Sequence, residues 1–316
     1  MNTIDAVIEH LTPVNQVEVF LPSGKGHQMG DVVHFLKEND QIPDECRYAL
    51  LGVPDREDIK RSRNNLGTSE RTRAFRGTFY RMFNHFQKSR DFMTDLGDMK
   101  ILDDSTEESI LASLAGLVEY LVSRNITPII IGADSRTTLF GIRGILQSAR
   151  YDRLGLLCCD SSVSLLEDRE GEKPFMEEFS SVFPENSVIF FGARRALVSP
   201  LLFETIEKHK IRLFYKDKIR QLRRDLLFGL NSIQGPGEGV IFSFDMNSCD
   251  SGSLPGSMDP LPGGFTPDDV IMTAKTASRY AFVKYLDLVG LNPETDIRNA
   301  TCSMAALFLF YFLSER

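Results

Sequence analysis

The sequence predicts an α/β protein built on a doubly wound, mostly parallel sheet of eight strands. Two observations predict this fold class. Short apolar, β-branched runs alternate with longer amphipathic segments, and the apolar runs are continuous, as in strands that helices cover on both faces. Because no Ser/Gly-rich stretch or charged block divides the 316 residues, we expect a single domain over residues 1–316.

Residues 1–45 are expected to form an irregular N-terminal segment, since Gly24, Gly26 and Gly30 indicate loops. The strand candidates follow this segment at intervals that leave room for a helix between most of them. They are residues 48–53, 92–96, 127–131, 154–159, 187–191, 211–215, 239–244 and 282–289.

Three helices carry recognisable end patterns. Ser105 is expected to cap the helix that begins in Ser105-Thr106-Glu107-Glu108, with Glu108 bonding back to the cap. Thr266 and Pro267 begin another helix, because proline at the first helical position loses no hydrogen bond. The apolar run at residues 304–313 is about half a membrane span, so residues 298–313 are expected to form a buried C-terminal helix.

Charge and cysteine content argue against several classes of protein. A net charge of −8 and a pI near 5.3 argue against a nucleic-acid partner, which needs clustered Lys and Arg. With no signal-peptide pattern, we expect a cytoplasmic protein that does not contact membranes.

Cys249 lies in a polar loop and is the candidate for a reactive thiol. No CxxC spacing occurs, so free thiols are expected at Cys46, Cys158, Cys159, Cys249 and Cys302.

Polar motifs follow four of the predicted strands. They are Gly132-Ala133-Asp134-Ser135, Asp160-Ser161-Ser162, Ser243-Phe244-Asp245-Met246-Asn247 and the segment from Asp287 to Pro293. Ligands of parallel sheets bind beyond the carboxyl ends of the strands, so these motifs predict a pocket. The alternative is that Asp, Ser and Asn occur there only because turns favour them.

Several motifs, taken in order from about residue 46, resemble the ureohydrolase family of arginases, agmatinases and formimidoylglutamases. Asp95-Leu96-Gly97-Asp98 matches the family's Asp-Leu-Gly-Asp element, and residues 261–266 match its Pro-Gly-Gly-Leu/Phe-Thr element. The resemblance implies an arginase-type fold, a homo-oligomer of three or six subunits and a site for two manganese ions. The further matching pieces are Leu51-Gly52-Val53-Pro54, Asn65-Leu66-Gly67, residues 132–136, 160–164 and 243–250, and residues 286–293.

The chain departs from the family at the metal-ligand positions. The family pattern has one His, then Asp, His and Asp, then two Asp. The matching residues here are Ser135; Asp160, Ser162 and Ser164; and Asp245 and Asn247. Hard divalent cations need anionic oxygen or imidazole donors, and two of them would repel each other strongly beside only two carboxylates. We therefore expect no metal and no other cofactor, with Asp160 and Asp245 as the only candidates to hold a metal ion.

Two further features of the sequence bear on substrate binding and proton transfer. The glutamate that helps the family hold a guanidino group is replaced by Gly290, while Asp134 and Asp250 are expected beside the site. No histidine occurs between residues 86 and 208, although moving a proton to a leaving amine near pH 7 usually needs one. The five histidines are His10, His27, His34, His85 and His209.

The serines of the motifs are not expected to be nucleophiles, because no base is available beside them. They are expected to hydrogen-bond to Asp160 and Asp245 in a neutral network. Arg194 ends a strand where the family has Gly-x-Arg, and a structural ion pair is expected for it.

The sequence favours a non-catalytic arginase-like protein that acts through ligand binding or protein association. Its pocket would be lined by Asp134, Ser135, Asp160, Ser162, Ser164, Asp245 and Asn247. The alternative is a divergent hydrolase that cleaves a C–N bond in a guanidino or formimidoyl compound, with manganese as its cofactor or no metal. A third alternative is an unrelated activity in the same pocket.

Overall fold

The computed structural model describes residues 9–37, 40–63, 70–169, 172–233 and 239–316. The motif Asn65-Leu66-Gly67 lies outside these residues. Within them, one sheet takes strands from the beginning and the end of the chain. Its strands are β1 (Leu11–Thr12), β2 (His34–Phe35), β3 (Tyr48–Gly52), β4 (Met93–Met99), β5 (Thr127–Ile131), β6 (Leu154–Cys159), β7 (Val188–Ala193), β8 (Arg212–Tyr215), β9 (Gly239–Asp245) and β10 (Val283–Val289).

The strand order is β1-β4-β3-β5-β10-β9-β6-β7-β8, with β2 paired to β4. Every strand pair is parallel except β1 with β4. This confirms the mostly parallel α/β sheet. Parallel neighbours need crossover connections, which the intervening helices supply.

All eight predicted strands are present, but the N-terminal segment is not wholly irregular. It contributes two strands of two residues each and two helices of one turn, so the sheet has ten described strands instead of eight. Strands this short leave no periodic pattern in a sequence. Their hydrogen bonds depend on β4, a partner more than fifty residues away.

Helices connect the strands and cover both faces of the sheet. One core contains Phe75, Leu226, Val270 and Phe308, and the other contains Leu114 and Ile142. The helices are α1 (Gln16–Val19), α2 (Met29–Val32), α3 (Arg56–Arg63), α4 (Glu70–Phe79), α5 (Glu107–Ser123), α6 (Ser135–Gln147), α7 (Phe175–Phe179), α8 (Phe203–Lys208), α9 (Leu222–Ser232), α10 (Pro267–Ala277) and α11 (Ala300–Phe312).

Two of the predicted helix starts need correction. Thr106, not Ser105, caps α5: its hydroxyl accepts from the Ser109 amide at 3.1 Å, and the Ser109 hydroxyl accepts from the Thr106 amide at 3.0 Å. The Ser105 hydroxyl instead accepts from Leu102. Helix α11 begins at Ala300, because φ is positive at the two residues before it. The predicted helix start at Thr266 and Pro267 is confirmed, and Thr266 forms a capping box with Asp269.

The C-terminal helix α11 is buried as predicted. The Phe308 ring lies 5.0 Å from the Phe244 ring and 6.2 Å from the Phe242 ring, centroid to centroid, so the helix packs on the middle of β9. Among the described helices none combines the length and the apolar content that crossing a membrane requires.

Candidate functional site

The carboxyl ends of β5, β10, β9 and β6 lie side by side in the sheet. They bring the four polar motifs to one edge, which confirms that these motifs converge. Gly132 and Gly290, which belong to two of these motifs, are 158 residues apart in sequence. The motifs are nevertheless in contact, since the Gly290 amide donates to the Ala133 carbonyl at 2.7 Å.

Asp160 follows β6 and is 1% exposed, with both carboxylate oxygens fully engaged. One oxygen accepts from the amide and the hydroxyl of Ser162, at 2.8 and 3.2 Å. The other accepts from the amide and the hydroxyl of Ser164, at 2.7 and 2.9 Å. A carboxylate oxygen has two lone pairs, so four donors saturate this group. The predicted serine network is confirmed on this side of the site.

Asp245 ends β9 and is bonded differently. Its carboxylate accepts from the Asn247 amide N–H at 2.8 Å and from the Asn247 side chain at 3.4 Å. In the described residues no serine hydroxyl donates to this carboxylate, so that part of the predicted network is wrong. Burial, and then the charge of Asp160, raise the pKa of Asp245 well above its usual range. A proton or a cation therefore stabilises this carboxylate.

Gly290 is directly against Asp245. Its φ of +78° lies in the left-handed region, and a Cβ there would be 2.1 Å from the Asp245 Oδ1 atom. A side chain at this position is therefore incompatible with the observed orientation of Asp245. The glycine at position 290 therefore leaves the space that the Asp245 carboxylate occupies.

Arg169 places a positive charge between two of the vacated ligand positions. Its Nη2 atom donates to the Ser135 hydroxyl at 2.7 Å and to the Ser164 carbonyl at 3.0 Å. Sequence reasoning missed this residue, because it lies outside the family motifs and its partner Ser135 is 34 residues away. The only indication in the sequence was an arginine five residues after Ser164.

The remaining predicted residues hold loops in place. Asp134 caps α6 by accepting from the Arg136 amide at 2.8 Å, and burial raises its pKa. Asp250 accepts from the Gly263 amide at 2.6 Å and so fixes the Pro-Gly-Gly loop. Arg194 makes no ion pair among the described residues. Its guanidinium donates to the carbonyls of residues 247, 248, 249, 261 and 262, which corrects the expected ion pair.

A cavity of about 720 Å³ opens beside Arg169. Of the seven residues predicted to line a pocket, Asp134 alone is among the described residues of its wall. Arg136 lies in the wall and forms ion pairs with Glu107, Glu108 and Glu172. The wall also contains Asp55, Arg56, Glu57, Ala133 and Met258.

The histidines and Cys249 do not add chemistry to this cavity. No histidine is among its described lining residues, and His85 lines a separate surface cavity with Phe86 and Phe310. Cys249 is 1% exposed and burial raises its thiol pKa strongly, so the reactive-thiol candidate is wrong.

The donors at this edge do not fit a pair of divalent metal ions. Among the described residues no three His, Cys, Asp or Glu side chains form a cluster that could hold a metal. The lone pairs of Asp160 are occupied, and the Arg169 guanidinium adds a repelling charge. Asp245, whose pKa is raised by burial and by the charge of Asp160, would be stabilised by a cation.

Comparisons with known proteins agree on the family. A model of the arginase family matches residues 46–314. The formimidoylglutamase of Streptococcus gordonii is 22% identical over 295 residues, which cover 89% of each protein. The formimidoylglutamase structure from Bacillus subtilis covers 96% of each chain with a TM-score of 0.78 and 19% identity. A Trypanosoma cruzi formiminoglutamase structure with Mn²⁺ covers 91% of this chain and 97% of its own, with a TM-score of 0.75 and 19% identity. At these identities the structural likeness shows the fold.

Proposed function

Because this chain belongs to the arginase family, a family of hydrolases, we propose that it uses the family's fold to bind a small polar molecule without catalysing hydrolysis. The observation that carries the proposal is the Arg169 guanidinium bonded to Ser135 and to the Ser164 carbonyl. The guanidinium places one positive charge where the family's metal ions would place four.

The chemistry of hydrolysis supports this reading. The family reaction needs a water whose pKa two metal ions lower, so that hydroxide forms near neutral pH. Here Asp160 and Asp245 are the only two carboxylates at the six ligand positions, and the Asp160 carboxylate is saturated by serine donors. No histidine is among the described residues of the cavity wall to act as a base in place of the metals.

The wall of the cavity supports a polar ligand. It carries five carboxylates and three guanidinium groups within about 720 Å³, a volume typical of small-molecule sites. Arg136 is neutralised by three glutamates, whereas Arg169 bonds to a hydroxyl and a carbonyl and has Glu172 only at 4.0 Å. Arg169 and Asp134 are therefore the charges that a zwitterionic or polar ligand would meet.

A second candidate is a divergent hydrolase, and the comparisons favour it. The relatives named above are formimidoylglutamases, and the match extends over about nine-tenths of both proteins. The substrate would then be a formimidoyl or guanidino compound, and a C–N bond would be hydrolysed. The feature that supports this candidate is the raised pKa of Asp245, which a single bound cation would lower.

Metal content and turnover separate the two candidates. Protein purified without chelator is loaded with Mn²⁺, desalted and analysed for manganese, and formamide or urea release is measured with formimidoylglutamate, agmatine and arginine. We expect about 0.1 manganese ion per chain or less, and no release. Two manganese ions per chain together with product release establish the hydrolase and end our first proposal.

We also propose that the chain forms a homo-oligomer of three or six subunits. Membership of the arginase family supports this proposal. Sedimentation equilibrium gives the mass directly, and a mass of one chain, 35.6 kDa, would exclude it.

A further inference from the structure

The opposite end of the sheet carries a second cavity, of about 440 Å³. It lies at the amino ends of β3, β5 and β10, which are neighbours in the sheet. Arg47 precedes β3, Thr127 begins β5 and Lys284 is the second residue of β10. The polar motifs at the carboxyl ends of these parallel strands are therefore at the other pole of the molecule.

The wall of this cavity is strongly basic, although the chain as a whole has a net charge of −8. Glu315 is its one acidic side chain among the described residues. None of its four cationic side chains has an ion pair with a described carboxylate side chain. These four are Arg47, Arg279, Lys284 and Arg316.

Two of these cations are partly removed from water. The pKa of Lys284 is lowered by burial and then by the charges of Arg316 and Arg150. The pKa of Arg316 is lowered by burial, and its Nε atom has no described hydrogen-bond partner, while its Nη atoms donate to main-chain carbonyls. The Arg316 guanidinium is held by the carbonyls of Val283, Ala277 and Tyr280, none of which is anionic. A partly buried positive charge without a carboxylate partner costs free energy that a bound anion recovers.

Neutral donors lie among the cations. Asn125 and Thr127 line the same cavity and provide an amide and a hydroxyl, whereas the hydroxyl of the third polar residue of the wall, Ser278, already donates to the Lys275 carbonyl at 2.8 Å. Lys88 does not belong to the wall; its ammonium donates to the main-chain oxygen of Arg316. The combination is suited to a compact group of high charge density with several acceptor oxygens.

We propose that the cavity formed by Arg47, Arg279, Lys284 and Arg316 binds the phosphate group of a small phosphorylated molecule. A phosphate monoester carries nearly two negative charges on three oxygens near pH 7, whereas one carboxylate needs only one guanidinium. The cavity volume leaves room for a sugar-sized group beside the phosphate. The Asn125 amide and the Thr127 hydroxyl provide hydrogen bonds for its hydroxyls.

The test is calorimetric titration of the full chain with ribose 5-phosphate at low salt, with ribose and citrate as comparison ligands. We expect saturable binding of ribose 5-phosphate, no binding of ribose, and citrate binding about tenfold weaker or worse. Absence of saturable ribose 5-phosphate binding overturns the proposal. Citrate binding as tight as that of the phosphate ester overturns the assignment to phosphate.

Variants locate the binding. Lys284→Gln removes the charge, keeps an unbranched polar side chain, and is expected to weaken the binding of ribose 5-phosphate about tenfold. Arg47→Gln, at an exposed position where folding is not at risk, is expected to weaken it severalfold. Lys208→Gln, an equal loss of charge at an exposed residue of α8, serves as control and leaves binding unchanged. Equal weakening in all three variants would show non-specific attraction and overturn the site.

Discussion

Arg169 brings to the candidate site a positive charge that the sequence did not single out. The sequence identified Ser135 and Ser164 as vacated ligand positions, but not what lies between them. The guanidinium contacts both residues, at 2.7 and 3.0 Å. A contact between residues 34 positions apart depends on the folded path of the chain and leaves no local pattern.

Arg169→Ala removes this charge while leaving the serines and both carboxylates in place. We expect the affinity for Mn²⁺ to rise about tenfold or more over the unmodified chain, because a nearby unit charge no longer repels the dication. Isothermal titration calorimetry measures the change. Arg223→Ala, an exposed position on α9, is the charge-matched control. Identical affinities for the unmodified chain and Arg169→Ala would show that the guanidinium does not oppose a metal.

Gly290→Ala tests whether a side chain at position 290 conflicts with the Asp245 carboxylate. The new Cβ would meet Asp245 Oδ1 at 2.1 Å and adopt a positive φ, so we expect a loss of about 2 kcal/mol or more in the free energy of unfolding. Urea denaturation measures this loss. In the background of Asp245→Ala the same substitution costs less, since only the backbone strain remains.

The control for Gly290→Ala is Gly116→Ala. Gly116 lies on α5, and a Cβ added there would have nothing within 4 Å, so alanine stabilises the helix by about 0.5–1 kcal/mol. A cost at position 290 that is the same with and without the Asp245 carboxylate would contradict the coupling.

Asp287 in β10 predicts a pH dependence of stability. It is fully buried, and burial raises its pKa from 3.8 to about 6, while hydroxyls around it, including Ser243 and Thr138, lower it only in part. A carboxyl group whose pKa is raised by folding stabilises the protein below its unfolded pKa. That stability is lost as the pH rises from about 4 through about 6.

Asp287→Asn removes this titration. From the two pKa values, we expect the variant to be up to about 3 kcal/mol more stable than the unmodified chain at pH 7.5, and nearly equal to it at pH 4. Chemical denaturation at both pH values measures the difference. A variant equally or less stable at pH 7.5 would show that Asp287 is not a buried, destabilising carboxylate.

The sequence predicts strands that have a continuous apolar pattern, but not the short strands that form only by pairing with a distant strand. The strands from β3 to β10 are close to the predicted runs, because burial on both faces requires an uninterrupted apolar sequence. Strands β1 and β2 form by pairing with β4, and a strand of two residues is too short to show a pattern in the sequence. The cap of α5 moved from Ser105 to Thr106 because two neighbouring hydroxyl residues can serve and the fold selects one.

The loop after β9 is held by Arg194 at the end of β7. Five main-chain carbonyls between residues 247 and 262 accept from its guanidinium, so Arg194→Ala leaves them without that donor. We expect amide exchange in residues 247–265 to become at least about tenfold faster, since hydrogen bonds to charged groups contribute about 1.5–3 kcal/mol. Hydrogen-exchange mass spectrometry resolves this segment.

Arg195 provides the control for the loop. It is the neighbouring residue, but it is exposed and lies over the Tyr215 ring instead of the loop carbonyls. Arg195→Ala should leave exchange in residues 247–265 unchanged. Equal acceleration in both variants would mean that the loop responds to charge alone and not to the carbonyl contacts.

The topology of the complete sheet explains why the candidate site exists at all. Strands β5 and β6 are consecutive in the chain, yet β10 and β9 lie between them. This order places Ser135, Asp160, Asp245 and Gly290 at one edge. Sequence patterns alone gave the strands but not their order, and the arrangement followed only from the family resemblance. The bonding within the site required coordinates, because it depends on Arg169 and on the missing Cβ of Gly290.

The most direct test of the electrostatic argument is an anomalous difference map from crystals grown with excess Mn²⁺ and measured at the manganese absorption edge. We predict no peak between Asp160 and Asp245, with the Arg169 guanidinium against Ser135. Two peaks bridged by those carboxylates, with Arg169 displaced, would contradict it and establish that the remaining donors hold the metal pair.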